Sequence, residues 1–260
     1  MNPVLRYVGT RLADYQSQPV RAGALGAVVP PERLAALLRP GDVMLVEGNN
    51  RISIAIKYLT QSTWSHATLY IGDALGPPPP GEPPRVLIEA ALREGVRAVP
   101  LANVAHLNTR ICRPVGLTAE DRARVVEFAL ARIGRQYDLS HLIDLARYLL
   151  PTPPVPTRLR RRMLALGSGD PTRAICSTLI AQAFQSIRYP ILPEAIPAND
   201  GDRSSADSYR EAQHIRRYGL YTPRDFDLSP FFGVVKPALA FRFDFHRLQW
   251  ADESPPATDG

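Results

Sequence analysis

The feature that most constrains this chain is a change of period. From Val43 to Val115 the apolar residues fall in short strand-like runs: "VMLVE", "HATLYIG", "RVLIEA", "GVRAVPL" and "NTRICRPV". Ala67, Leu69 and Ile71 alternate with Thr68 and Tyr70, so the second run has two distinct faces. From Thr118 the spacing becomes helical. In "GLTAEDRARVVEFALARIGRQYD", Thr118 and Asp121 make a capping-box pair, Val126, Leu130 and Ile133 follow at helical spacing, and Gly134 stops the helix. "CSTLIAQAFQSI" predicts a second amphipathic helix, with Leu179, Ile180, Ala183, Phe184 and Ile187 on one face. Strands followed by helices predict an α+β fold.

Other segments connect these. "PPERLAALL" reads as a short helix opened by proline and acid, and "ISIAIKYLT" as a short apolar helix or loop. "ALGPPPPGEPP" is a loop, while "TPRDFDLSPFFGVV" and "FRFDFH" suggest a closing turn and a last strand. No internal repeat or clean linker divides the chain. The expected organisation is a helical or irregular lead-in over 1–37, one domain over 38–250, and a disordered tail over 251–260. Insertions are expected at 75–85, 142–172 and 198–215.

Composition narrows the setting. Lys57 and Lys236 are the only lysines, so arginine supplies nearly all the positive charge; with abundant Ala and Pro this fits a GC-rich genome, and a bacterial origin is expected. A net charge of +6 permits attraction to phosphates or anionic lipid without naming either. The basic residues are scattered and no nucleic-acid-binding motif accompanies them, so no nucleic-acid partner is expected. No apolar run approaches the ~20 residues of a membrane-spanning helix, and the N-terminal stretch lacks a secretory pattern. A cytoplasmic protein is expected, with peripheral contact to an anionic membrane left open. Cys112 and Cys176 are too few for a disulfide framework and lack zinc-ligand spacing, so neither metal nor cofactor is expected.

Three residues stand out chemically. Cys176 opens a helix, where unpaired amides and the macrodipole favour a thiolate and can supply donors to an oxyanion. Taken alone it reads equally well as a buried core residue. His66 starts a strand, where a scaffold holds the ring still, whereas His106, His141, His214 and His246 lie in loop-like, helix-start or chain-end contexts. Glu89 is a carboxylate within an apolar strand, costly unless paired or turned to solvent. If strands 67–72 and 86–90 are neighbours, Glu89 can face His66 and fix its tautomer. Cys112, within a strand-like run, reads as a small structural residue.

In order, "RPGDVMLVEG", "STWSHATLYIG", "VLIEAALREGV", "EFALARIGRQYD" and "ICSTLIAQAF" resemble the circularly permuted branch of the NlpC-type papain-like cysteine amidases and peptidases, in particular its YiiX/YebB-like members. The histidine block precedes the cysteine helix, which is the permuted order. The resemblance covers roughly residues 38–190 and implies an antiparallel sheet or small barrel packed against helices. It also implies Cys176 as nucleophile, His66 as general base and Glu89 as the residue orienting the imidazole. Tyr137 and Ser177 are implied on the substrate and oxyanion side, and Asp42 as a turn-stabilising residue. Ile175 stands where unpermuted relatives often carry aspartate, which weakens any inference toward a cell-wall peptide.

The resulting expectation is a cysteine hydrolase, amidase- or peptidase-like, cleaving an amide or ester through an acyl-thioester. Its expected partner is an amide, peptide or lipid acyl substrate. Relatives resembling lecithin:retinol acyltransferase make lipid acyl transfer or phospholipase chemistry the alternative, and "LIDLARYLLPTPPVPTRLRRRMLAL" could serve there as a membrane contact, a lid or a plain basic insertion. A non-catalytic module binding lipid or cell-wall fragments is the remaining reading.

Overall fold

Five of the predicted runs pair into a sheet that is covered on both faces. The computed structural model describes residues 29–91, 94–136, 175–192 and 221–237. In chain order these form α1 (Pro31–Leu37), β1 (Val43–Glu47), α2 (Arg51–Thr60), β2 (His66–Tyr70), β3 (Arg85–Ala91) and β4 (Gly95–Pro100). There follow α3 (Ala102–Ala105), β5 (Asn108–Pro114), α4 (Ala119–Leu130), α5 (Ile175–Ser186), α6 (Pro223–Leu228) and β6 (Phe232–Val235). All strand pairs are antiparallel, in the order β4-β3-β2-β1-β5-β6. Among the described residues this sheet is open, so of the two expected forms it is the sheet and not the closed barrel.

One face carries Val43, Leu45, Ala67, Leu69, Ile88, Ala90, Val96 and Cys112, packed against Val125, Val126 and Ala129 of α4 and Leu179, Ile180, Ala183 and Phe184 of α5. The other carries Met44, Val46, Leu87 and Val99, covered by Val104 of α3. Ile111 packs against Leu34 and Leu38 at α1. Burial on both sides explains why β1 reads "VMLV" without a polar position. Each fully buried aliphatic side chain of this kind contributes roughly 1.5–3 kcal/mol.

The helices bear out most of the local expectations. The Thr118–Asp121 capping box opens α4. However, α4 ends at Leu130, and Ile133 is 39% exposed in the turn that reaches Gly134. Gly134, at φ +83, lets the chain turn back so that its N–H donates to Val96 O. The helix beginning near Cys176 is less amphipathic than expected: Ala181 and Ser177 are as fully buried as Leu179 and Phe184. An aromatic cluster fastens its far end, with the Phe184 and Phe232 rings edge-on at 5.2 Å and the Tyr189 hydroxyl donating to Phe231 O at 2.6 Å. "TPRDFDL" forms the capped helix α6, with Asp225 accepting from Thr222 N, in place of a simple turn.

Residues 72–84 form a turn-rich loop between β2 and β3. The expected insertions at 142–172 and 198–215, the tail at 251–260, the strand in "FRFDFH" and most of the lead-in lie outside the described residues. No helix of the described residues is long and apolar enough to cross a membrane.

Candidate active site

The site begins with a parting of strands. β1 and β2 stay paired as far as Val46↔His66, and β3 and β4 as far as Ala91↔Gly95. Between them, β2 and β3 pair only at Leu69↔Ile88 and Tyr70↔Leu87. The sheet therefore opens between β2 and β3 at the end where His66 begins. Tyr70 N–H donates to Asp42 O on the β1 side and Ile71 N–H to Val86 O on the β3 side. Alternation then turns the Ala67 N–H toward the gap, where among the described residues it has no strand partner.

Three side chains converge there. His66 lies on the same face of β2 as Tyr70, and Glu89 on the same face of β3 as Leu87; since Tyr70 and Leu87 are paired, both point to one side. The Glu89 Oε2 lies 2.9 Å from His66 Nε2, a diagonal contact across the gap. Helix α5 packs on the opposite face and brings Cys176, its second residue, to the same opening. There the sulfur lies near enough to His66 and to the Ala67 amide for both to lower its pKa. Because Nε2 faces Glu89, Nδ1 is the ring nitrogen left for the sulfur. The Cys176 residue is 5% exposed, whereas the His66 side chain keeps 26% of its surface open.

Local bonds hold His66 in place. Ser65, immediately before it, donates its N–H to Val46 O, and its hydroxyl accepts the Gly48 N–H at 2.9 Å. Helix α2 intervenes between these two strands, closed at its start by the Asn50 side chain on Ser53 N.

The electrostatics favour a thiolate–imidazolium pair. Burial opposes charge on His66, but the Cys176 sulfur and the Glu89 carboxylate outweigh it and raise the ring to about 10. Burial likewise opposes charge on Cys176, yet His66, the Ala67 amide and Ser177 bring its pKa below the ordinary thiol value. Burial would also raise Glu89, but His66 and Arg97 hold it down at about 2. The second sulfur is the opposite case. Burial, then the Asp227 charge, pushes Cys112 up to about 12, consistent with a structural residue at the centre of β5.

Arg97 is the participant that the sequence reading missed. Its Nε and Nη2 reach Glu89 Oε1 at 2.9 and 2.7 Å, leaving Oε2 for His66. Glu89 and Arg97 are directly opposite in the β3–β4 ladder. The signal was present: "GVRAVP" places an arginine on the face that the hairpin register assigns to Glu89. Gly95 lies at φ +70 in this hairpin, and a side chain there would collide with Arg135 O.

Of the other expected residues, Ser177 is fully buried, with its hydroxyl 4.0 Å from the Cys176 sulfur, so its side chain faces the interior of the site. Tyr137 lies outside the described residues; Gln136, just before it, sits against Gly95. Asp42 stands at the far end of β1. It accepts from Arg39 N at 2.9 Å within the "PGD" turn and forms a bidentate pair with Arg113 at 2.9 and 2.7 Å.

Residues 37–148 match a family model described as "Permuted papain-like amidase enzyme, YaeF/YiiX, C92 family". That stretch contains His66, Glu89 and Arg97 and ends before Cys176. Among solved structures, the chain is similar to the crystal structure of metalloprotein YiiX from Escherichia coli O157:H7. The match covers 76% of this chain and 96% of that one, at 16% identity and a TM-score of 0.44. Comparison with curated proteins gives no match. Over residues 37–148 the chain thus matches the permuted papain-like amidases of the YaeF/YiiX type that its motifs resemble, and its antiparallel sheet packed against helices is the α+β architecture that the resemblance implies.

Proposed function

We propose that this protein is a cysteine hydrolase that cleaves an amide or ester bond, with Cys176 as nucleophile, His66 as proton carrier and Glu89 as the group that orients the imidazole. The observation that carries this reading is His66 itself, which meets Cys176 on one side and Glu89 Oε2 at 2.9 Å on the other. A lone buried cysteine needs no such partner, and among the described residues Cys112 has none of this kind.

In this reaction the thiolate attacks the acyl carbon, forming the C–S bond while the carbonyl π pair moves to oxygen. Amides at the start of α5 face the developing oxyanion. Collapse of the tetrahedral species breaks the C–N or C–O bond, and the His66 imidazolium gives its proton to the leaving group. His66, now neutral, takes a proton from water as that water attacks the thioester, and the second collapse restores the thiolate–imidazolium pair. Glu89 keeps the ring in one orientation throughout, and Arg97 holds Glu89 ionised.

The test is trapping. Incubation with a chromogenic acyl ester should give a burst of product, and intact-mass analysis should find one acyl group on Cys176, removable by hydroxylamine. Cys176→Ala should lose the adduct, and with it several powers of ten in turnover rate. An equal burst from Cys176→Ala would mean that the nucleophile lies elsewhere.

A further inference from the structure

The described residues enclose a polar cavity of about 410 Å³, lined by Ser62, Trp64, Asn108, Arg110, Arg224 and Asp227 among others. Its place follows from sheet register. Leu45 pairs with Ala67 on one side and with Arg110 on the other. Arg110 therefore lies two interstrand spacings, about 10 Å, from the residue whose amide faces the Cys176 sulfur. Leu45, Ala67 and Trp64 all belong to the core on the α5 side of the sheet, so the cavity and Cys176 share one face. Leu45 and Ala67 are buried between these points, so a substrate attacked at Cys176 would follow the end of the sheet, and about three extended residues would reach Arg110.

The chemistry of the lining is specific. Asp227 spends both oxygens, Oδ2 accepting from Trp64 Nε1 at 3.0 Å and Oδ1 accepting from Arg110 Nη1 at 2.6 Å. The Arg110 guanidinium also lies over the Trp64 ring at 4.9 Å, which fixes its plane. Among the described residues Arg110 makes that one hydrogen bond and Arg224 makes one, from Nη1 to Thr60 O at 2.9 Å. A guanidinium carries five N–H donors, so most of the donors on both arginines remain unspent. Two guanidiniums and one carboxylate line the cavity, which leaves it net positive. Such a cavity selects an acceptor-rich anion.

We propose that this cavity is a substrate subsite for an anionic group, a carboxylate or a phosphate, carried about 10 Å from the scissile bond, with Arg110 and Arg224 as its recognition residues. Its role as a subsite rests on the proposed Cys176 chemistry; its capacity to bind an anion does not.

The binding test uses Trp64 as reporter, with Trp250→Phe removing the other tryptophan. The full chain is titrated with N-acetylglutamate, with glycerol phosphate and with neutral N-acetylglutaminamide. The expected result is a saturable fluorescence change with at least one anion and none with the amide, the stronger anion identifying a carboxylate or a phosphate source. Arg224→Met and Arg110→Lys, each with a native melting transition, should weaken binding at least ~tenfold. Absence of saturable binding, an equal response to the amide, or undiminished binding in both variants overturns the proposal. Subsite function is read from alkylation of Cys176 by chloroacetyl-alanylglutamate, or by chloroacetyl-ethanolamine phosphate if phosphate binds more strongly. The anionic probe should react faster than its neutral counterpart in the parent and lose that advantage in Arg224→Met, and equal rates in the parent overturn the subsite. Should Cys176→Ala retain full hydrolysis while the titration succeeds, the nucleophile assignment fails and the anion site stands.

Discussion

Glu89→Gln isolates what the carboxylate does for His66. Burial alone would raise the Glu89 pKa, yet His66 and Arg97 together hold it at about 2, against an ordinary 4.5. At ~1.36 kcal/mol per pH unit that difference is worth about 3 kcal/mol, shared between the two partners. Glutamine keeps the shape but has one carbonyl oxygen for two donors. If it serves Arg97, its NH2 group meets His66 Nε2 and the ring is driven to the wrong tautomer. The imidazolium loses a stabilising charge, so its proton should leave at lower pH: from about 10 in the native site, down by roughly one unit or more. NMR of protein labelled at histidine Cε1 measures this directly, with the His66 signal assigned by its absence in His66→Gln. An unchanged or higher His66 midpoint in Glu89→Gln would show that the 2.9 Å contact carries no such coupling.

The other consequences can be read with standard assays. His66→Ala removes the cation that keeps the Cys176 thiol below its ordinary range and leaves burial in control, so alkylation by iodoacetamide at neutral pH should slow at least ~tenfold; a wild-type rate would contradict the pairing. Arg97→Met should let the Glu89 midpoint climb from about 2 toward its unfolded value. A carboxylate with a depressed pKa stabilises the fold above its unfolded value and loses that contribution as pH falls through the folded one. Acid unfolding of Arg97→Met, followed by circular dichroism, should therefore begin at higher pH, and Arg97→Lys should recover part of the difference. Cys112, pushed up to about 12 by burial and by Asp227, should stay silent toward dithionitrobenzoate in the native protein, leaving Cys176 as the reacting thiol. Two fast native thiols would contradict its placement.

The proposed catalytic set was only partly visible before the fold was known. His66, Glu89 and Cys176 were each ambiguous alone: a strand histidine, a charge in an apolar run and a small residue in a helix all have structural uses. Ordered motifs joined them, because a resemblance carries the memory of a three-dimensional arrangement that no single segment shows. Arg97 escaped because its meaning depends on the partner across the hairpin, and Ile133 misled because helical spacing continued past the point where the turn to Gly134 had begun.

What the sequence by itself determined is local: the strand runs, the capping box at Thr118, the start of a helix near Cys176 and the turn at Asp42. These rest on backbone sterics, side-chain caps and periodic burial, which act over a few residues. Only the tertiary structure decided that β2 and β3 separate after Leu69↔Ile88, freeing the Ala67 amide and opening a passage for sulfur to meet imidazole. That outcome depends on which strands pair, in what register, and which helix covers them. These choices are settled by burying the whole sheet at once, and no local stretch encodes them.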